Sequence, residues 1–343
     1  MARRSAARLA IRGGGPVMGS KAAPPERRDN KQHDWEEASM ENIEIIARGL
    51  GFPEGPVVLE DGTVFITEIN GGKITRVAAD GKVTPVGEPG GGPNGLAMGP
   101  DGALYLCDNG GSLYLPGHFM GMGPSADYAG GSIQRVDPQT GERRVLYTEC
   151  NGHRLSAPND LVFDRQGGFY FTDMGKRYAR SRDHGGLYYA LPDGSSIREL
   201  AYPILSPNGV GLSPDERKVY VADTEGARLW CFDVESPGVV KPGVFPAPHG
   251  GRCIGGLPGP TRFDSLAVTA AGNIAVTTLG TGFITVFAPD GRVVRELKMP
   301  DTHPTNICFG GADMRTAYVT LSAKGELARL RWDEPGLRLN FQR

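Results

Sequence analysis

The sequence predicts an all-β chain folded as a six-bladed β-propeller. Three observations carry that prediction. A strand–turn–strand unit recurs six times, the copies are spaced at blade length, and each copy holds a polar residue at the same place. Composition agrees. With 51 Gly and 27 Pro in 343 residues, the chain is punctuated too often for long helices. A hydrophobic fraction of 39% suffices for a sizeable core.

The unit is a polar turn, an alternating apolar strand, a Gly turn and a second apolar strand ending in a polar residue. It reads FPEGPVVLEDGTVFITEING at 52–71, PNGLAMGPDGALYLCDNG at 93–110 and PNDLVFDRQGGFYFTDMG at 158–175. It returns as PNGVGLSPDERKVYVADTEG at 207–226, FDSLAVTAAGNIAVTTLGTG at 263–282 and TNICFGGADMRTAYVTLSAKG at 305–325. Anchored at Glu54, Asn94, Asn159, Asn208, Asp264 and Asn306, the copies step by 40, 65, 49, 56 and 42 residues. Four-stranded blades of roughly 40–50 residues, some with long loops, fit those steps. Turn pairs such as Asp61-Gly62 and Asp101-Gly102 lie between the paired strands, as hairpins require.

Third strands follow at 73–80, 132–139, 186–193, 228–235 and 283–290. The last copy leaves room only for 325–332 as a third strand. Its fourth is expected from 42–49, so that an N-terminal strand closes the last blade and removes two open sheet edges. The propeller therefore spans residues 41–343. Residues 1–40, with Arg3, Arg4, Arg8 and Arg12 and no apolar core after them, read as a disordered or non-native tail rather than a secretory signal. Met18 and Met40 are alternative starts.

Net charge is −2, which argues against a general polyanion binder such as a nucleic-acid protein. No run of 18 apolar residues exists, so no membrane span is expected. The five cysteines lack CxxC spacing and read as reduced thiols of a cytoplasmic protein.

The innermost strand of each propeller blade lines the central channel. Here the residues at the start of those strands are Glu54, Asn94, Asn159, Asp160, Asn208, Asp264 and Asn306, all oxygen donors. Such donors suit one divalent cation: Ca2+ first, with Mg2+, Mn2+ or Zn2+ also compatible. Asn and Asp also cap turns locally, and for Asn94 and Asn306 that reading stays open. Turn chemistry explains less about Glu54 after Pro53 or Asp264 after Phe263.

From Ile43 to Trp332 the chain resembles the family of senescence marker protein 30, gluconolactonase and related lactonases. The resemblance rests on Pro53-Glu54-Gly55-Pro56, on Arg154 to Leu161 with Phe171-Thr172-Asp173, and on Pro207-Asn208-Gly209. It extends to Phe263-Asp264-Ser265-Leu266 and to Asn306 through Gly311 followed by Ala317-Tyr318-Val319-Thr320. It implies a metal held by Glu54, Asn159, Asn208 and Asp264, and a hydrolase that opens a lactone ring. The metal would polarise the carbonyl and a carboxylate would take a proton from the attacking water. Asp264 is the first candidate for that base, with Asp160 or Asp173 next. Asn94, Arg154 and Asp173 are candidate substrate contacts. A small-molecule lactone or ester is the expected partner.

The chain also departs from the family. Ala157 stands where the animal branch has an arginine, and Lys176 and Arg177 where it has a glutamate. The insert at 111–131, with Tyr114, Phe119, Met120 and Tyr128, either caps the site and favours a less polar substrate or packs on neighbouring blades. The six histidines read as loop residues, and there is no GxSxG. Phosphotriester hydrolysis, a biosynthetic elimination or ring opening, and a non-catalytic binding propeller remain alternatives, because a fold does not settle a reaction.

Overall fold

The structure, a computed structural model, describes residues 42–243 and 247–343. The tail expected at 1–40 lies outside the described residues. Among the described residues there is no α-helix, and none is long and apolar enough to cross a membrane.

Six antiparallel sheets stand in a ring. Their innermost strands are Pro53–Val58, Pro93–Met98, Pro158–Phe163, Pro207–Leu212, Arg262–Val268 and Pro304–Gly310, and each touches the innermost strands of the two neighbouring blades. Five of the six begin with proline. That position suits it, because the first residue of an edge strand need not donate to a ladder.

The register shifts at or beside the anchor residue in every innermost strand, between Glu54 and Val57, Pro93 and Leu96, Pro158 and Leu161, Pro207 and Val210, Phe263 and Leu266, and Pro304 and Asn306. A bulge re-aims the side chains around it. Glycine at the bulge permits close approach across the axis. A Cβ on Gly95 would stand 2.5 Å from the Asn159 carbonyl oxygen, and one on Gly209 would stand 2.6 Å from Ser265 Cα.

The ring is laced by hydroxyls. Thr67 Oγ1 donates to the Asn94 carbonyl at 2.6 Å, Thr172 Oγ1 to the Asn208 carbonyl, and Thr277 Oγ1 to the Thr305 carbonyl at 2.8 Å. Ser322 Oγ donates to the Pro53 carbonyl at 2.6 Å, joining the last blade to the first. These threonines sit on second strands and are fully buried. Apolar clusters fill the wedges between blades, one around Tyr105, Phe163 and Phe169 and another around Ile307, Phe309 and Trp332.

The N-terminal strand Glu44–Arg48 pairs antiparallel with Glu326–Arg331 and supplies the fourth strand of the last blade. The C-terminal tail was not foreseen. It runs beneath several blades, with Leu337 N–H donating to the Val268 carbonyl, Asn340 Nδ2 to the Phe163 carbonyl and Gln342 Nε2 to the Phe309 carbonyl. The longer steps at 65 and 56 residues come from the insert after the second strand of blade 2 and from residues 237–251 before the outer strand of blade 4, Arg252–Gly256. No disulfide forms; four cysteines are buried and Cys253 is exposed.

A chain beginning at residue 50 would leave Glu326–Arg331 as an open edge. We expect its melting midpoint to fall by about 10 °C, at roughly 2 °C per kcal/mol for a chain this long, with light scattering rising as edges pair between molecules. An unchanged midpoint in differential scanning fluorimetry would refute the closing role.

Candidate metal and substrate site

The axial channel is divided in two. On one side, Glu54, Asn94, Asn159, Asn208 and Asp264 line a single cavity of about 200 Å³. On the other, Asp160 and Asn306 line a separate cavity of about 130 Å³, closed by the C-terminal tail at Leu337–Asn340. The bulges explain the division, since Asn159 and Asp160 are consecutive and face opposite ways along the axis.

Glu54, Asn159 and Asn208 are each held by their own blade or a neighbouring one. Glu54 Oε2 accepts from Gly55 N–H and from Asn306 Nδ2, both at 3.1 Å. Asn208 Nδ2 donates to Thr224 Oγ1 at 3.1 Å, and Ser265 Oγ lies 3.4 Å from Asn208 Oδ1. Asn159 Nδ2 points to Met174 Sδ at 3.6 Å, while its Oδ1 is buried with no hydrogen-bond partner. Asn159 thus engages its nitrogen with protein and leaves its oxygen for the cavity, whereas Asn208 Oδ1 already accepts from Ser265 Oγ and keeps one lone pair for the cavity.

The electrostatics follow from burying carboxylates without basic partners. Burial pushes Glu54 up to about 7, against the pull of Gly55 N–H and Asn306, and the charge of Asp160 adds to the rise. Burial pushes Asp160 up to about 7 as well. Asp264 is raised well above its ordinary value, first by burial and then by Glu54. None of the ion pairs among the described residues involves these three carboxylates. Buried charge of one sign without a partner is costly.

Among the described residues no three His, Cys, Asp or Glu side chains form a metal-binding group. The set here is two carboxylates, Glu54 and Asp264, with amide oxygens. That mixture fits a hard divalent cation, and the orphaned Asn159 oxygen is the atom such an ion would satisfy.

The other expected site residues are placed differently. Asp173 does not line the cavity. Its oxygens accept from Ser156 N–H at 2.6 Å, Ala157 N–H at 2.7 Å and Gly175 N–H at 3.0 Å, clamping the loop that enters the innermost strand of blade 3. Glu68, Asp108 and Asp223 do similar work at the same repeat position in blades 1, 2 and 4. Arg154 is exposed on a short ribbon and donates to the Ala129 carbonyl at 2.8 Å, which ties down the insert.

The insert caps the cavity. Met120 lines it, and Phe119 packs against Phe52 and His303 with ring centroids 6.4 and 4.8 Å away. The wall beneath is nevertheless charged, contrary to the expectation of a less polar pocket. Lys176, Arg177, Arg182, Glu225 and Arg262 all line it. Lys176 Nζ donates to the Asn109 carbonyl at 2.8 Å and to the Gly111 carbonyl, lies 4.7 Å over the Tyr128 ring, and is lowered to about 8 by burial. Sequence reasoning met Lys176 and Arg177 only as departures from a pattern and did not find Arg182, Glu225 or Arg262.

A family model described as the SMP-30/gluconolactonase/LRE-like region matches residues 52–323. A gluconolactonase from Zymomonas mobilis is 27% identical over 309 residues, covering 82% of this chain and 79% of that protein. A lactonase from Staphylococcus haemolyticus is 30% identical over 268 residues, covering 78% and 73%. A solved gluconolactonase structure from Xanthomonas campestris superposes with a TM-score of 0.67 at 23% identity, covering 84% of this chain and 89% of that one.

Two outcomes follow from the site. Saturating Ca2+, at about 100 times its dissociation constant, should stabilise the protein by about 2.7 kcal/mol, and Glu54→Gln or Asp264→Asn should remove most of the rise in melting midpoint. An equal rise in wild type and both variants would place the ion elsewhere. Asp173→Ala orphans three N–H donors and should cost about 2 kcal/mol or more, read as a lower denaturant midpoint; no loss would deny the clamp.

Proposed function

The chain belongs to the SMP-30/gluconolactonase/LRE-like family, and we propose that it hydrolyses a lactone with the help of one divalent cation, Ca2+ first among the candidates. The observation that carries this reading is the axial cavity, where Glu54, Asp264 and the oxygens of Asn159 and Asn208 converge with the Asn159 oxygen unsatisfied. The Zymomonas and Staphylococcus relatives, named as a gluconolactonase and a lactonase, support the reaction class. Glu54, Asn159, Asn208 and Asp264 would hold the cation. When bound, it supplies Lewis acidity toward the lactone carbonyl.

Asp264 is the base we assign. It is the one candidate that both lines the substrate cavity and is a carboxylate free of backbone clamps. Asp160 faces the tail-closed cavity and Asp173 is occupied by three N–H groups. Water attacks the carbonyl carbon and Asp264 takes its proton. The ring C–O bond then breaks and the proton passes to the departing alkoxide, giving a hydroxy acid. Asn94, in the same cavity, is a substrate contact. The insert shields the reacting centre from bulk water through Met120 and Phe119. Arg154, pinned outside the cavity at Ala129, acts on substrate only through the insert it anchors. Free cysteines are compatible with a reducing cytoplasm.

Asp264→Ala should lower kcat/KM by at least about 100-fold, the scale of one general base, while circular dichroism shows the fold retained. The assay is pH-stat titration of the acid released from a panel of aldonolactones, acyl lactones and aryl lactones with Ca2+, Mn2+ or Zn2+. Turnover of no lactone, or full activity in Asp264→Ala, would overturn the proposal.

A further inference from the structure

We propose that the lactone this protein opens carries a free carboxylate, and that Arg182 and Arg262 read it where the axial cavity opens into a side cleft. This rests on the lactonase reading above and adds the substrate's charge to it. The cavity wall holds four cationic side chains, Lys176, Arg177, Arg182 and Arg262, and one carboxylate outside the axial set, Glu225. Glu54 and Asp264 would balance a bound dication, so cations outnumber carboxylates on the cavity wall itself, with Asp108 and Asp173 acting on Lys176 and Asp223 and Asp183 on Arg182 from outside it. A neutral sugar lactone has no use for that excess, and a low-dielectric cleft lined by one sign of charge concentrates the opposite sign.

The arginines are held but not satisfied. Glu225 lies between them, 3.7 Å from Arg182 Nη1 and 3.3 Å from Arg262 Nη2. Charge-assisted contacts close to about 2.7–2.9 Å when a carboxylate engages a guanidinium fully. The Glu225 backbone is anchored, its N–H donating to Ser206 Oγ at 2.7 Å. Arg182 Nη2 donates to the Met174 carbonyl at 3.1 Å, which orients the guanidinium. Its side chain is 19% exposed, and burial holds its pKa below the ordinary arginine range. Arg177 takes part in no ion pair among the described residues.

The geometry also supplies room. A side cleft of about 330 Å³ is lined by Thr261, Arg262 and His303, and it shares Met120, Glu225, Arg262 and Leu279 with the axial cavity. A ring seated over the axial oxygens can therefore extend a substituent past Glu225 to Arg262, whose side chain is 41% exposed in the open cleft. Planar guanidinium forks suit a planar carboxylate in a way that a lysine ammonium does not.

The test is a matched pair of substrates. D-Glucaro-1,4-lactone and D-glucono-1,4-lactone share one ring and differ at C6, a carboxylate in the first and a hydroxymethyl in the second. With Ca2+-loaded protein, kcat/KM for the first should exceed that for the second by about tenfold or more, equivalent to about 1.4 kcal/mol. The ratio should fall toward one in Arg182→Met and Arg262→Met and shrink in 0.5 M NaCl. Using a ratio makes the result independent of general damage in either variant. Equal values in wild type, or a preference untouched by both substitutions, would overturn the inference while leaving the lactonase reading standing. If neither lactone is turned over, calorimetry on the same protein decides. D-Glucarate binding about tenfold tighter than D-gluconate, with the difference lost in both variants, keeps the carboxylate site; equal binding removes it.

Discussion

Six strand edges meeting on one axis impose the constraint from which the rest of the molecule follows. Backbone carbonyls at the centre of a ring of sheets have no ladder partner on their inner side, and a buried carbonyl without a partner is costly. Threonine hydroxyls on the second strands and a serine hydroxyl directly after one meet that need, from Thr67 to Asn94, Thr172 to Asn208, Thr277 to Thr305 and Ser322 to Pro53. Each such bond ties one blade to the backbone of an axial residue in the next. The positions of the axial side chains are therefore set by ring closure, and the N-terminal strand that completes the last blade contributes to the site without touching it.

On that frame the protein separates two kinds of charge. The axial floor is acidic and buried, with Glu54, Asp160 and Asp264 raised by desolvation, and Glu54 and Asp264 further by neighbouring carboxylates. The wall toward the insert is cationic, with Lys176 held by carbonyl oxygens and Arg182 and Arg262 sharing Glu225. A cation at the floor and an anion at the wall would each meet groups of opposite sign. The two fields act on different ends of a bound molecule, one at the reacting carbonyl and one at a distant substituent.

The contrast between Asp173 and Asp264 shows how repetition separates architecture from chemistry. Asp173 has equivalents in Glu68, Asp108 and Asp223, all accepting from groups near the start of their own blade's innermost strand. An acid that recurs in blade after blade serves the blade. Glu54 and Asp264 occur at an anchor position that carries asparagine in the other four copies, and a carboxylate there answers to something on the axis. The recurrence is visible in the sequence, where Glu68, Asp108, Asp173 and Asp223 each end the second strand of a blade.

Blade number, the order of strands, the closing strand at Glu44–Arg48 and the axial oxygen set were legible in the sequence, because each depends on short-range pattern repeated at fixed spacing. Tertiary structure alone decided three matters. The bulges sent Asn159 into one cavity and Asp160 into the other, a choice of direction that alternation in a strand cannot encode once register shifts. The tail after Asp333 found its place beneath the channel through hydrogen bonds to three distant innermost strands, at Val268, Phe163 and Phe309. The cationic wall was assembled from Lys176, Arg182, Glu225 and Arg262, which belong to loops of two blades and the first strand position of a third and have no common motif. Such groups become neighbours only when the ring closes, so no local reading of the chain could have joined them.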